Sequence, residues 1–183
     1  MSWNPAEDPR VIAEDFAAIH FGKDAAELMG EVIMLSGEAY KHGLYVKPVA
    51  ESIRGNTLPH LRLTTFPVHG FPALDQGKGH IDWLRERIYL PSKPEIPDAV
   101  AHLDRGLAMA ARMVELGEKA RPRFDVPETA TQVMDALNLT RLLIQTNNAY
   151  IKTCYAYFDY FDASSPENRE RLKEETNRLR ETV

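Results

Sequence analysis

The sequence predicts an all-α fold, a bundle of about five helices with a long irregular insertion at 44–96. Three observations lead there. Apolar residues recur at helical rather than alternating spacing along most of the chain. Capping residues and first-turn prolines stand where those periodic stretches begin, at Asp8-Pro9, Pro97, Pro127 and Ser165-Pro166. Six of the twelve prolines (Pro48, Pro59, Pro67, Pro72, Pro91, Pro94) fall within 44–96, where they interrupt any long helix.

Each element follows from local chemistry. Asp8 can cap a first helix with Pro9 in its first turn. Val11, Ile12, Phe16 and Ile19 recur near helical spacing, and Gly22 stops the run. Asp24 can cap a second helix carrying Leu28, Val32, Leu35 and Ala39 on one face, ending near His42-Gly43. Within the insertion, a short β-like piece at Leu61–Phe66 and a short helix near Ile81–Arg87 are expected. A third long helix starts at Pro97, runs through Val100, Leu103, Leu107, Ala110, Val114 and Leu116, and ends at Arg121-Pro122. The next extends from Pro127 to about Phe161 on a stripe of Val133, Leu137, Ile144, Ile151, Tyr155 and Phe158, interrupted by Arg141 and Asn148. Unbroken, it would span roughly 50 Å at 1.5 Å per residue. Ser164 or Ser165 caps a last helix whose only apolar anchors are Leu172, Leu179 and Val183. Residues 1–163 therefore read as one helical domain, and 164–183 as a mostly solvated C-terminal helix.

Composition and charge exclude several classes. The 183 residues, 44% hydrophobic and 27% charged, describe an ordinary globular chain. One cysteine, Cys154, excludes an internal disulfide framework. No apolar run approaches the length of a membrane span, and MSWNPAEDPR lacks the apolar core of a signal peptide, so the expected location is the cytoplasm. The chain is also too short for a (β/α)8 barrel, which takes about 250 residues. Its 27 acids and 22 Lys+Arg leave a net charge of −5. Residues 1–31 hold seven acids against Arg10 and Lys23, also −5, so the remainder balances at zero. No basic stripe predicts nucleic-acid binding. The best amphipathic candidate for a membrane surface, 166–180, has mixed charge.

Familiar catalytic motifs are absent. No Glu-x-x-His pair, Cys-x-x-Cys or Gly-x-Ser-x-Gly occurs, and Gly77-Lys78-Gly79 fails the phosphate-loop pattern. Glu38 and His42 share a helix face without an evident third ligand, and His69, Asp75 and His80 have metal-binding residue types without a defining spacing. No catalytic residue, metal or cofactor is assigned. Two constellations remain. Arg54, His60, Arg62, His69 and Trp83 crowd the irregular middle, where an aromatic ring beside Arg and His suits a sugar's apolar face and polar rim. Between 150 and 161, six of the sixteen aromatics point around most of a helix, so Tyr150, Tyr155, Tyr157 and Tyr160 are candidates for contact with the middle loops or a second copy of the chain.

Trp3-Asn4-Pro5, Ile12-Ala13-Glu14, Phe16 and Phe21-Gly22, followed by Met34-Leu35-Ser36-Gly37-Glu38-Ala39, resemble the segment that begins the helical C-terminal region of α-glucuronidase-like bacterial glycoside hydrolases. The resemblance covers residues 3–40 and departs from that family where the α-glucuronidases carry paired histidines after the second helix. It implies a region that follows the catalytic barrel, packs on it, can lend residues near the substrate cleft and can form a dimer interface. The catalytic carboxylates of that family lie on barrel strands, and no position here matches them. On this expectation Met1-Ser2 opens either an excised domain or a chain separated from its barrel. The missing partner is a catalytic barrel, with carbohydrate contact or self-association as further expectations; the alternatives are a self-contained small enzyme or sugar-binding protein using the His/Arg/Trp loop cluster, and a helical oligomerisation module. An outward-facing apolar stripe along 9–21 or 98–121 would mark where a barrel belongs.

Overall fold

The computed structural model describes residues 7–44 and 80–182. Those residues are all-α, with no strand among them. The main helices are α1 (Pro9–Phe21), α2 (Ala26–Leu44), α3 (His80–Leu84), α4 (Leu90–Ser92), α5 (Ile96–Ala120), α6 (Pro127–Asp162) and α7 (Pro166–Glu181). The expected starts and stops hold for local reasons. The Asp8 carboxylate accepts the Arg10 amide at 2.9 Å and Ser165 Oγ accepts the Asn168 amide at 3.1 Å, each satisfying a first-turn donor that the helix leaves without a partner. Gly22 ends α1 at φ +107°, a conformation that L side chains rarely adopt.

The later part of the expected insertion is helical. Between α3 and α4 the chain forms a π-helical turn at Arg85–Tyr89, and a 3-10 turn at Lys93–Glu95 leads into α5. Pro91 and Pro94 stand at the second positions of α4 and of that 3-10 turn, within the first turn, where the amide has no intrahelical partner to lose. The β-like piece expected at 61–66 lies outside the described residues.

The chain divides into two compact units, Met1–Lys41 with Gly106–Ile144, and His42–Arg105 with Gln145–Val183. Helix α7 belongs to the second unit together with the later part of α6. Thr153 Oγ1 donates to the Glu175 carbonyl at 3.0 Å, and Arg171 reaches Asp159 at 2.9 Å.

In the first unit α1 meets α2 through small residues. Ala13 and Ala17 are buried, and a Cβ added to Gly30 would stand 3.2 Å from the Glu14 backbone, so the two helices approach backbone to backbone at that point. Met29, Val32, Met113, Leu116, Met134 and Leu137 are buried in the same unit. The Asp125 amide donates to the Phe21 carbonyl at 3.0 Å, and the Phe21 and Phe124 rings lie 5.3 Å apart.

In the second unit the core is a cluster of Leu84, Ile88, Tyr89, Leu103, Ile151, Cys154, Tyr155 and Phe158, with Ile96, Ala99, Val100 and Tyr150 packed against it. Two buried polar side chains of this unit are matched. The Tyr155 hydroxyl donates to Ser92 Oγ at 3.0 Å, and Asn148 Nδ2 donates to Asp104 Oδ1 at 3.0 Å. Asn147 Nδ2 donates to the Gly43 carbonyl at 2.8 Å, serving one of the last carbonyls of α2.

Candidate functional site

The apolar stripe of α1 faces outward. Val11, Ile12, Phe16 and Ile19 are 44%, 42%, 50% and 78% exposed, while the buried positions of this helix are the alanines, Ala13 and Ala17. Ile12, Phe16 and Ile19 follow one another at i, i+4 and i+7 and so share one face. His20 extends it, with its ring 4.1 Å from that of Phe16. A helix that packs through alanine and offers isoleucine and phenylalanine to water is unfavourable as an isolated surface, because each large side chain is worth about 1.5–3 kcal/mol when fully buried. Asp8 and Asp15, both exposed, lie along one edge of this face at helical spacing. No large apolar residue between 98 and 121 shows comparable exposure.

The expected loop cluster is only partly placed. Arg54, His60, Arg62 and His69 lie outside the described residues. Trp83 belongs to α3, and its side chain also lies outside the described set. The aromatic run at 150–161 separates into an inner and an outer group. Tyr155 is fully buried within the second unit's core, so it faces neither solvent nor another chain. Tyr150 and Tyr160 are half-buried, and burial pushes the Tyr150 phenol above its ordinary range. Tyr157 and Phe161 are exposed with their rings stacked at 6.5 Å, and Phe161 is 67% exposed. Phe161 is the outward aromatic that the sequence reading passed over, although it stands one helical turn after Tyr157.

Beside this pair lies an ionic knot. Asp162 accepts Lys93 at 2.7 Å, Arg85 at 2.6 Å and the Tyr89 hydroxyl at 3.2 Å. The Lys93 and Arg85 hydrogen bonds hold its carboxyl well below the usual carboxylate range, at about 2. Tyr89 also donates to Asp159 at 3.0 Å, and burial, with that carboxylate, pushes its phenol up to about 12. Among the described residues the Arg85 Nη1 has no hydrogen-bond partner, but its guanidinium carbon lies 5.2–5.9 Å from the ring centroids of Phe161, Phe158 and Tyr89, so the aromatic faces receive it. The π-helical turn places Arg85 and Tyr89 together against the end of α6, and the knot fixes that end rather than offering a reactive group.

Two histidines far apart in sequence meet within the second unit. His42 Nδ1 and His102 Nδ1 lie 2.8 Å apart, so one ring donates the shared proton and the other accepts it. His102 also lines a cavity of about 280 Å3 with Ser92, Glu95, Asp98 and Arg105. A second concavity, an open groove of about 420 Å3, runs along α7 between Tyr160, Arg169, Leu172, Lys173, Thr176, Asn177 and Arg180. Neither was legible in sequence, since the histidine contact spans 60 residues and the groove arises from folding α7 back on α6.

Among the described residues no group of three or more His, Cys, Asp and Glu side chains is placed to hold a metal ion, and no helix is long and apolar enough to cross a membrane. Comparison with known proteins finds no matching family model, no matching curated protein and no matching solved structure.

Proposed function

We propose that this chain is a non-catalytic helical module of a bacterial glycoside hydrolase, and that it packs through the outer face of α1 on a catalytic (β/α)8 barrel. The observation that carries the proposal is the outward stripe of Ile12, Phe16 and Ile19 on a helix anchored from behind by Ala13 and Ala17. It coincides with residues 3–22, where the sequence resembles the start of a post-barrel helical region. The work of such a module is packing, and carbohydrate contact comes second to it.

The test uses the intact chain and a separately expressed barrel domain from an α-glucuronidase-like glycoside hydrolase, mixed and followed by calorimetry and gel filtration. Fully burying Phe16 and Ile19, now 50% and 78% exposed, would contribute roughly 2–4 kcal/mol at 1.5–3 kcal/mol per whole side chain. The double variant Phe16→Asp/Ile19→Asp is therefore expected to bind at least about 30-fold more weakly than the native chain. Absence of any complex with the native chain overturns the proposal. So does hydrolysis of aryl glycosides by the chain alone, if one carboxylate substitution abolishes it.

A further inference from the structure

Helix α7 carries five acids and five bases between 166 and 183, a balance that in sequence promises no net field. The fold sorts them. Arg171 is held by Asp159 at 2.9 Å, Arg178 by Glu175 at 3.0 Å, and Lys173 by Glu170 at 2.9 Å. Arg169 and Arg180 have no carboxylate within ion-pair distance among the described residues, and both are exposed. Together with Lys173 they line the groove of about 420 Å3 whose other walls are Tyr160, Leu172, Thr176 and Asn177. No acid lines it among the described residues.

The three cations stand at i, i+4 and i+11, so they share one side of the helix over about 16 Å of its length. An arginine in this setting offers a planar fork of donors suited to a carboxylate or a sulfate. The exposed Asn177 amide supplies both donors and an acceptor. Thr176 Oγ1 donates to the Leu172 carbonyl at 2.7 Å and keeps its lone pairs for an incoming hydroxyl. Tyr160 gives an aromatic face with a polar tip. A groove with two unneutralised guanidiniums, few apolar anchors and many hydrogen-bonding groups matches a polyhydroxylated anion better than an amphipathic peptide, which would need a row of apolar pockets.

We propose that the α7 groove is a binding site for an anionic oligosaccharide, with Arg169 and Arg180 on its carboxylates or sulfates, Tyr160 stacked on a sugar ring, and Thr176 and Asn177 on its hydroxyls. The site stands on α7 and the end of α6 alone, so failure of the α1 docking reading leaves it untouched.

Calorimetric titration of the intact chain with oligogalacturonate and with a sulfated dextran oligosaccharide tests it, with neutral dextran and a poly-glutamate peptide as comparisons. Binding to either anionic saccharide is expected, and which of the two binds identifies the acidic group. Neutral dextran should not bind. Raising NaCl to about 0.5 M should weaken binding at least tenfold, because exposed charges are screened. Arg169→Ala/Arg180→Ala should lose at least tenfold. Arg171→Ala, which breaks only the Asp159 pair, should bind as the native chain does, with circular dichroism showing each variant folded. Tyr160→Ala should lose several-fold toward the saccharide and nothing toward poly-glutamate. The proposal is overturned if neither anionic saccharide binds, if the double arginine variant binds undiminished, or if poly-glutamate binds as tightly as the saccharide and Tyr160→Ala changes neither.

Discussion

Replacing Ile19 by Gln should leave the stability of the isolated chain nearly unchanged, although Ile19 belongs to the strongest apolar periodicity in the first helix. Ile19 is 78% exposed, so folding removes about a fifth of its surface from water. Taking about 1.5–3 kcal/mol for complete burial, that fifth is worth ~0.3–0.7 kcal/mol. The better helix propensity of Gln offsets a few tenths of it. The expected loss is therefore below about 0.5 kcal/mol, whereas truncating a core isoleucine typically costs about 2–5 kcal/mol. The companion variant Ala17→Leu should behave in the opposite sense. Ala17 is fully buried, and three extra carbons in a packed contact should cost about 1–3 kcal/mol. Urea unfolding with equal m-values for all three proteins gives the comparison. A loss of 2 kcal/mol or more for Ile19→Gln, or a neutral Ala17→Leu, would show that α1 is anchored through its isoleucine face and would remove the basis for docking there.

Phe158, 2% exposed with the Tyr89 ring 5.1 Å away, should cost about 3–5 kcal/mol on truncation to Ala, read as a fall in the thermal midpoint. Tyr155→Phe leaves buried Ser92 Oγ without its donor and should cost about 1–3 kcal/mol, while Tyr155→Phe/Ser92→Ala should recover part of that loss; equal losses in the single and double variants would count against the hydrogen bond. The depressed carboxyl of Asp162 favours the folded state at pH values above the ordinary carboxylate range. That contribution should disappear as pH falls from about 4 to about 2, through the folded value. Asp162→Asn should flatten this stretch of the stability profile, and an unchanged acid limb would show that the Lys93 and Arg85 contacts do not persist in solution.

Local rules carried the helix boundaries. Asp8, Gly22, Pro127 and Ser165 each act within one turn of chain, so their meaning is legible without tertiary knowledge. Of the stripe Val133, Leu137, Ile144, Ile151, Tyr155 and Phe158, all but the half-buried Val133 are buried, because large apolar side chains on one face of a long helix have a core available. The same rule identifies the α1 stripe without saying whether its cover lies inside the chain. The signal for that was the burial of Ala13 and Ala17 together with the close approach of the Glu14 backbone to Gly30, which spacing alone does not reveal. Tyr155 and Tyr157 illustrate a related gap. Both sit in one aromatic run, and only the position of the Leu84–Tyr89 cluster decides which of them is enclosed. The sorting of charge on α7 depends on Asp159, twelve residues before Arg171 and across a turn, so counting charges missed it.

The lone cysteine makes the second unit self-reporting. Cys154 is buried in its core, and burial pushes the thiol up to about 12, so at neutral pH the folded chain presents almost no thiolate to an alkylating reagent. Labelling is therefore expected to follow opening of that core. A disulfide exchange reagent added in excess becomes a stopwatch for the opening of the α5–α6 core, counted one chain at a time by mass, without introducing a probe or altering a residue.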